Sequence, residues 1–70
     1  MLVNVVVAER VGDKEVVKLN RNVGIMEVDA LLYTVDLPVR AESLELFLSR
    51  SAGNCFSFMD KDTRYVFRAA

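Results

Sequence analysis

The sequence predicts one small α+β domain over residues 1–70, with elements in the order β-β-β-α-β-β and one helix. Its strands form either an open antiparallel sheet or a small OB-like barrel, the fold in which a helix stands between the third and fourth strands. Three observations predict this class. The N-terminal third alternates apolar residues around a Gly-Asp turn, a single stretch near 40–52 carries a helical stripe, and the C-terminal segment is a second, aromatic hairpin.

Residues 2–11 read as a strand with Val3, Val5 and Val7 on one face and Leu2, Val6 and Ala8 on the other. A strand apolar on both sides is central in a sheet, shared between two sheets, or covered on one side by a partner. Gly12-Asp13 puts glycine first in a two-residue turn, as a type II′ hairpin requires, and the chain returns through Glu15-Val16-Val17-Lys18-Leu19. With Val11 opposite Lys14, the predicted pairs are Arg10 with Glu15, Ala8 with Val17 and Val6 with Leu19, leaving Val7 beside Lys18.

Asn20-Arg21-Asn22-Val23-Gly24 reads as a loop. Between Ile25 and Leu37 the alternation changes phase: Met26, Val28 and Ala30 are followed by Leu31, Tyr33, Val35 and Leu37. This predicts a third strand with a bulge or bend near Ala30-Leu31, the alternative being a short helix over 25–33 followed by a strand. Pro38 ends that strand. A helix over about 40–52 then sets Ala41, Leu44, Phe47, Leu48 and Ser51 on one stripe against Glu42, Glu45, Ser49 and Arg50, with Gly53 as a left-handed cap and Asn54 assisting the exit. In the last hairpin Phe58 stands opposite Tyr65 and Phe56 opposite Phe67, so four aromatics share one face, which reads as core.

The chain is 53% hydrophobic, rich for a domain that buries only about 60% of its unfolded surface. Some apolar surface is therefore expected to face a partner, most economically a second copy in a homodimer. Nine basic against ten acidic residues argue against a dedicated polyanion binder and equally against an acidic nucleic-acid mimic. The single cysteine, Cys55, reads as a small buried thiol in a reducing compartment. The first residues lack a basic n-region, and their apolar run is broken at Asn4 and ends at Glu9-Arg10, so neither a signal peptide nor a membrane span is expected and the cytoplasm is the expected location.

Chemistry finds little to work with. No histidine is present, which removes the commonest proton shuttle and the usual serine or cysteine triads. Cys55 follows a helix C-terminus, the wrong end of the dipole for a thiolate. Asp60-Lys61-Asp62 lacks the further oxygen ligands and the glycine of a calcium loop, and Gly12, Gly24 and Gly53 are too scattered to cradle phosphate. No catalytic residue, metal or cofactor is assigned, and the expectation is a protein that is not an enzyme.

The function expected is a stoichiometric protein-binding module of the inhibitor or adaptor kind, including those carried by phages and mobile elements. Its contacts are assigned to the first hairpin and to an acidic stretch holding Glu27, Asp29, Glu42 and Glu45. The alternative is a nucleic-acid-binding domain, with Lys14, Lys18, Lys61, Arg64 and Arg68 on phosphates. Leu37-Pro38-Val39-Arg40, a helix, Gly53 and an apolar hairpin together resemble the second half of AbrB/MazE-type swapped-hairpin domains, a resemblance that implies a dimeric DNA binder. It covers half the chain, the helix is longer than that family uses, and Gly53-Asn54 replaces its Gly-Asp pair, so no residue roles are carried over. A small-molecule pocket between subunits is neither supported nor opposed by the residues.

Overall fold

The computed structural model describes residues 1–70. Strands β1 (Val3–Val11) and β2 (Lys14–Val23) are followed by helices α1 (Ile25–Thr34) and α2 (Ala41–Arg50), then strands β3 (Cys55–Asp60) and β4 (Thr63–Ala69). The sheet is antiparallel throughout in the order β2-β1-β4-β3, so the doubly apolar β1 is central, paired on both sides. The α+β class holds, while the order is β-β-α-α-β-β and the sheet stays open with β2 and β3 as free edges. There is no OB-like barrel.

The central correction is at residues 25–37. Val28 and Leu32 are buried, with Ile25, Leu31 and Val35 half-buried beside them, a spacing that closes on one side of a helix and on neither side of a strand. The two alternations out of phase are what a period of 3.6 looks like when sampled at a period of 2. The helix stops in a Schellman arrangement: Asp36 is left-handed at φ 55, its N–H donates to Tyr33 O at 3.1 Å, and Leu37 N–H donates to Leu32 O at 3.2 Å. Pro38 thus lies in the connection between two helices and ends no strand.

The first hairpin follows the predicted register from Val11↔Lys14 through Ala8↔Val17, with Gly12 at φ 65 in the turn. A bulge at Lys18 then shifts the pairing to Val7↔Leu19 and Val6↔Asn20, in place of the expected Val6 with Leu19 and Val7 with Lys18. Leu19 thereby keeps the face of Val5 and Val7, and Asn20-Arg21-Asn22 is strand rather than loop. In the second hairpin Phe58↔Tyr65 and Phe56↔Phe67 pair as expected.

The core lies between one sheet face and the helices, where Val3, Val5, Val23 and Phe67 meet Val28, Leu32, Ala41, Leu44 and Leu48. Half-buried Phe56, Phe58 and Tyr65 extend it, with Phe58 stacked on Tyr65 at 4.9 Å between ring centroids. Helix α2 is shorter than the expected 40–52: Ser51 is already extended, Phe47 is 41% exposed, and Gly53 (φ 89) serves a turn beyond the helix end. Asn54 does assist the exit, its Nδ2 donating to Phe47 O at 2.9 Å. The predicted burial of Cys55 is corrected as well, because the residue is exposed on the uncovered face at the β3 edge.

Candidate functional site

A two-layer molecule 16 Å thick offers three kinds of surface: the outer side of the helix layer, the uncovered sheet face, and the two sheet edges. Only 10 of 70 residues are buried, so much of the apolar half of the sequence has to be looked for on these surfaces.

On the helix layer, the side of α1 opposite Val28 and Leu32 carries Met26, Ala30 and Tyr33 at spacings of four and three. Met26 is 85% and Tyr33 89% exposed, and on α2 Leu46 is 63% exposed. A helix that is apolar on nearly every side normally sits inside a protein. Here α1 has lost water on one side only.

The acidic set divides around this ridge. Asp29 and Glu42 line one shallow cleft together with Ile25, Met26, Ala41 and Arg40, because the connection between the helices returns α2 to the first half of α1. Glu27 turns toward the sheet and pairs with Arg21 of β2. Glu45 lies 3.7 Å from the α-amino group of Met1. The structure therefore joins Asp29 to Glu42 in one cleft, whereas Glu27 is engaged by Arg21 and Glu45 by the α-amino group.

The uncovered face carries Asn4, Val6, Ala8 and Arg10 from β1, Arg64, Val66 and Arg68 from β4, Cys55, Ser57 and Met59 from β3, and Asn20 and Asn22 from β2. Asn4 Nδ2 donates to the side-chain oxygens of Asn20 (2.9 Å) and Asn22 (3.1 Å), closing an amide cluster across two strands. No aromatic residue stands on this face. Phe56, Phe58, Tyr65 and Phe67 all point to the helices, so the stacking platform of a single-strand binder is missing.

Both hairpin turns lie at one end of the sheet, tied by Arg10 N–H donating to Asp62 O at 2.8 Å, and this gathers Lys14, Lys18, Lys61 and Arg64. The same end holds Glu9, Asp13, Glu15, Asp60 and Asp62, with Lys18 4.0 Å from Glu9 and Arg64 3.2 Å from Glu15. Interleaved charges of this kind give no cationic patch. Arg68 stands apart, opposite Asn4.

No group of three or more His, Cys, Asp or Glu side chains is placed to hold a metal ion, and no helix is long and apolar enough to cross a membrane. Sequence reasoning missed the Met26–Tyr33 ridge because the segment read as a strand; a helical reading of 25–33 would have placed both residues opposite Val28. Comparison with protein-family models, with curated proteins and with solved structures finds no match to this chain.

Proposed function

We propose that the chain is a small non-catalytic protein-binding module that self-associates and acts in the cytoplasm by stoichiometric occupation of a partner's surface. The observation that supports it most is the outer ridge of α1, where Met26 and Tyr33 stand almost wholly in water. Solvating a Met and a Tyr on the same helical line forgoes burial worth about 1.5–3 kcal/mol for a side chain of this size. Asp29 and Glu42 beside the ridge select a partner with an apolar centre and a basic rim. The reading includes inhibitor and adaptor roles, phage-borne ones among them.

The test is a pull-down with the tagged chain and with a Met26→Ser/Tyr33→Ser double variant, from lysate divided into nuclease-treated and untreated halves. A discrete protein recovered near one-to-one from both halves, and lost with the variant, is the expected result. Recovery that ignores the variant would remove the ridge, and recovery lost on nuclease treatment would replace the reading. Asp29→Lys with Glu42→Lys is expected to weaken the same complex about tenfold or more, mostly through like-charge contact with the basic rim.

A second reading, nucleic-acid binding across the uncovered face, has Arg64 and Arg68 in one row on β4 behind it. It requires an affinity that falls steeply with salt, by roughly one counterion per phosphate contacted.

A further inference from the structure

The two edges of the sheet are unlike. Edge β2 is guarded: it carries Lys14, Glu15, Lys18 and Arg21 and is broken by the bulge at Lys18, the devices by which natural sheets discourage edge-to-edge pairing. Edge β3 has no bulge, and its one charge, Asp60, stands at the turn end. Cys55-Phe56-Ser57-Phe58-Met59 contains no charge and no proline, and it pairs with β4 in unbroken register from Cys55↔Arg68 to Asp60↔Thr63.

Because Asp60 and Thr63 close a two-residue turn, they form a hydrogen-bonded pair, and alternation then turns the N–H and C=O of Cys55, Ser57 and Met59 outward. Nothing in the molecule takes these groups, since no backbone bond outside the ladders and helices, and no side-chain bond, reaches residues 55–60. Beside this edge runs an apolar groove lined by Val39, Ser43, Leu44, Phe47 and Phe56, with Phe47 41% exposed.

We infer that β3 is the homodimer interface of this chain: two copies pair antiparallel through β3 about a two-fold axis at Ser57, joining two four-stranded sheets into one. This deepens the self-association in the proposed function and rests on it. The register follows from the sequence of the strand, Phe56-Ser57-Phe58 being the same read in either direction. Centring the axis on Ser57 sets Phe56 opposite the partner's Phe58 and Phe58 opposite the partner's Phe56 on the helix side, so the aromatic row Phe67–Phe56 continues across the axis. Shifting the axis to Phe58 would set Asp60 against an aromatic, and shifting it to Phe56 would leave Phe58 against Asn54.

The helix layer is compatible with this pairing. Antiparallel pairing keeps both helix layers on one side of the sheet. Helix α2 lies over β3 and β4, so a strand spacing of about 4.8 Å leaves α2 and its copy about 10 Å apart, the distance at which helices pack. Phe47 and the groove beneath it then close against their equivalents.

Sedimentation under reducing conditions tests the proposal on the full chain. The wild type is expected at twice its 7.9 kDa mass, and Ser57→Lys, which sets two ammonium groups face to face, at the single mass with dimer affinity lowered about 100-fold. Far-UV circular dichroism checks that the variant keeps its fold, and Val17→Lys on the guarded β2 edge is expected to leave the dimer intact. In a Cys55→Ser background, Ser57→Cys should oxidise to a covalent dimer, because residues on the axis face themselves at about 5.5 Å between Cα atoms. Wild-type Cys55 should cross-link slowly, being about 14 Å from its copy. A monomeric wild type would overturn self-association itself. A dimer that survives Ser57→Lys or fails to cross-link through Ser57→Cys would overturn only the β3 interface.

Discussion

Asp36 occupies a position that glycine usually fills. At φ 55 its Cβ crowds the backbone, and its exposed carboxylate stands at the negative end of α1, so conformation and dipole both oppose it. Replacing it with glycine is expected to stabilise the domain by about 0.5–1 kcal/mol, raising the melting temperature by several degrees. Asp36→Ala should recover only the smaller electrostatic part, and an unchanged or lower melting temperature for Asp36→Gly would refute the account. The opposite sign is expected at Phe67, which has no exposed surface and sits 6.2 Å from Phe58 and 6.4 Å from Phe56 between ring centroids. Phe67→Ala should cost about 3–5 kcal/mol, close to the whole stability expected of a single-core domain of this length. Denaturant titration of that variant should show no cooperative transition. Asp36 also explains why α1 is hard to read in the sequence. A glycine there would have marked a helix end, and the N-cap Gly24 makes no side-chain hydrogen bond that a serine or aspartate would have announced.

Among the elements, the two hairpins were the most legible, since turn residues and cross-strand pairs are local and agree with each other. Gly12-Asp13 set the register out to Ala8↔Val17, and the aromatic pairs of β3 and β4 followed from their spacing alone. Helix α1 was not legible as such, because its exposed Met26 and Tyr33 are as apolar as its buried residues and the burial signal cannot separate the two sides. The bulge at Lys18 was invisible for a different reason: it is decided by keeping Leu19 on the covered face and Asn20 on the uncovered one, which is a tertiary preference. That origin is testable by deletion. Removing Lys18 leaves every existing pair between β1 and β2 in place and should change stability by no more than about 1 kcal/mol in urea titration. Removing Asn20 holds Arg21–Val23 in register only by moving Lys18 opposite Val7 and Leu19 opposite Val6. This puts a lysine on the covered face, and a cost of about 2 kcal/mol or more is expected. Equal effects of the two deletions would show that the bulge is set by something other than side-chain facing.

At the scale of the molecule, ten buried residues and an open sheet leave much of the apolar surface in water. The sequence signalled a surplus of apolar residues without locating it, because the surplus is divided between the first hairpin, the α1 ridge, the α2–β3 groove and the β3 edge, which are distant in the chain. With ten buried residues the isolated protomer holds few kcal/mol, so any partner that binds only the folded state contributes a visible share of stability. For pairing through β3 that share depends on concentration. Raising the protein concentration tenfold adds about 1.4 kcal/mol per dimer, or about 0.7 per protomer. Unfolding entropy scales with chain length, so for a chain of 70 residues the midpoint of thermal unfolding should rise by about 3–5 °C per decade. Ser57→Lys should melt at a lower temperature that no longer depends on concentration, whereas Met26→Ser/Tyr33→Ser should keep the dependence, because that ridge is assigned to a different protein. A wild-type midpoint that stays constant over two decades of concentration would mean that the folded protomer stands alone and that the bare edge of β3 is left to a partner's strand.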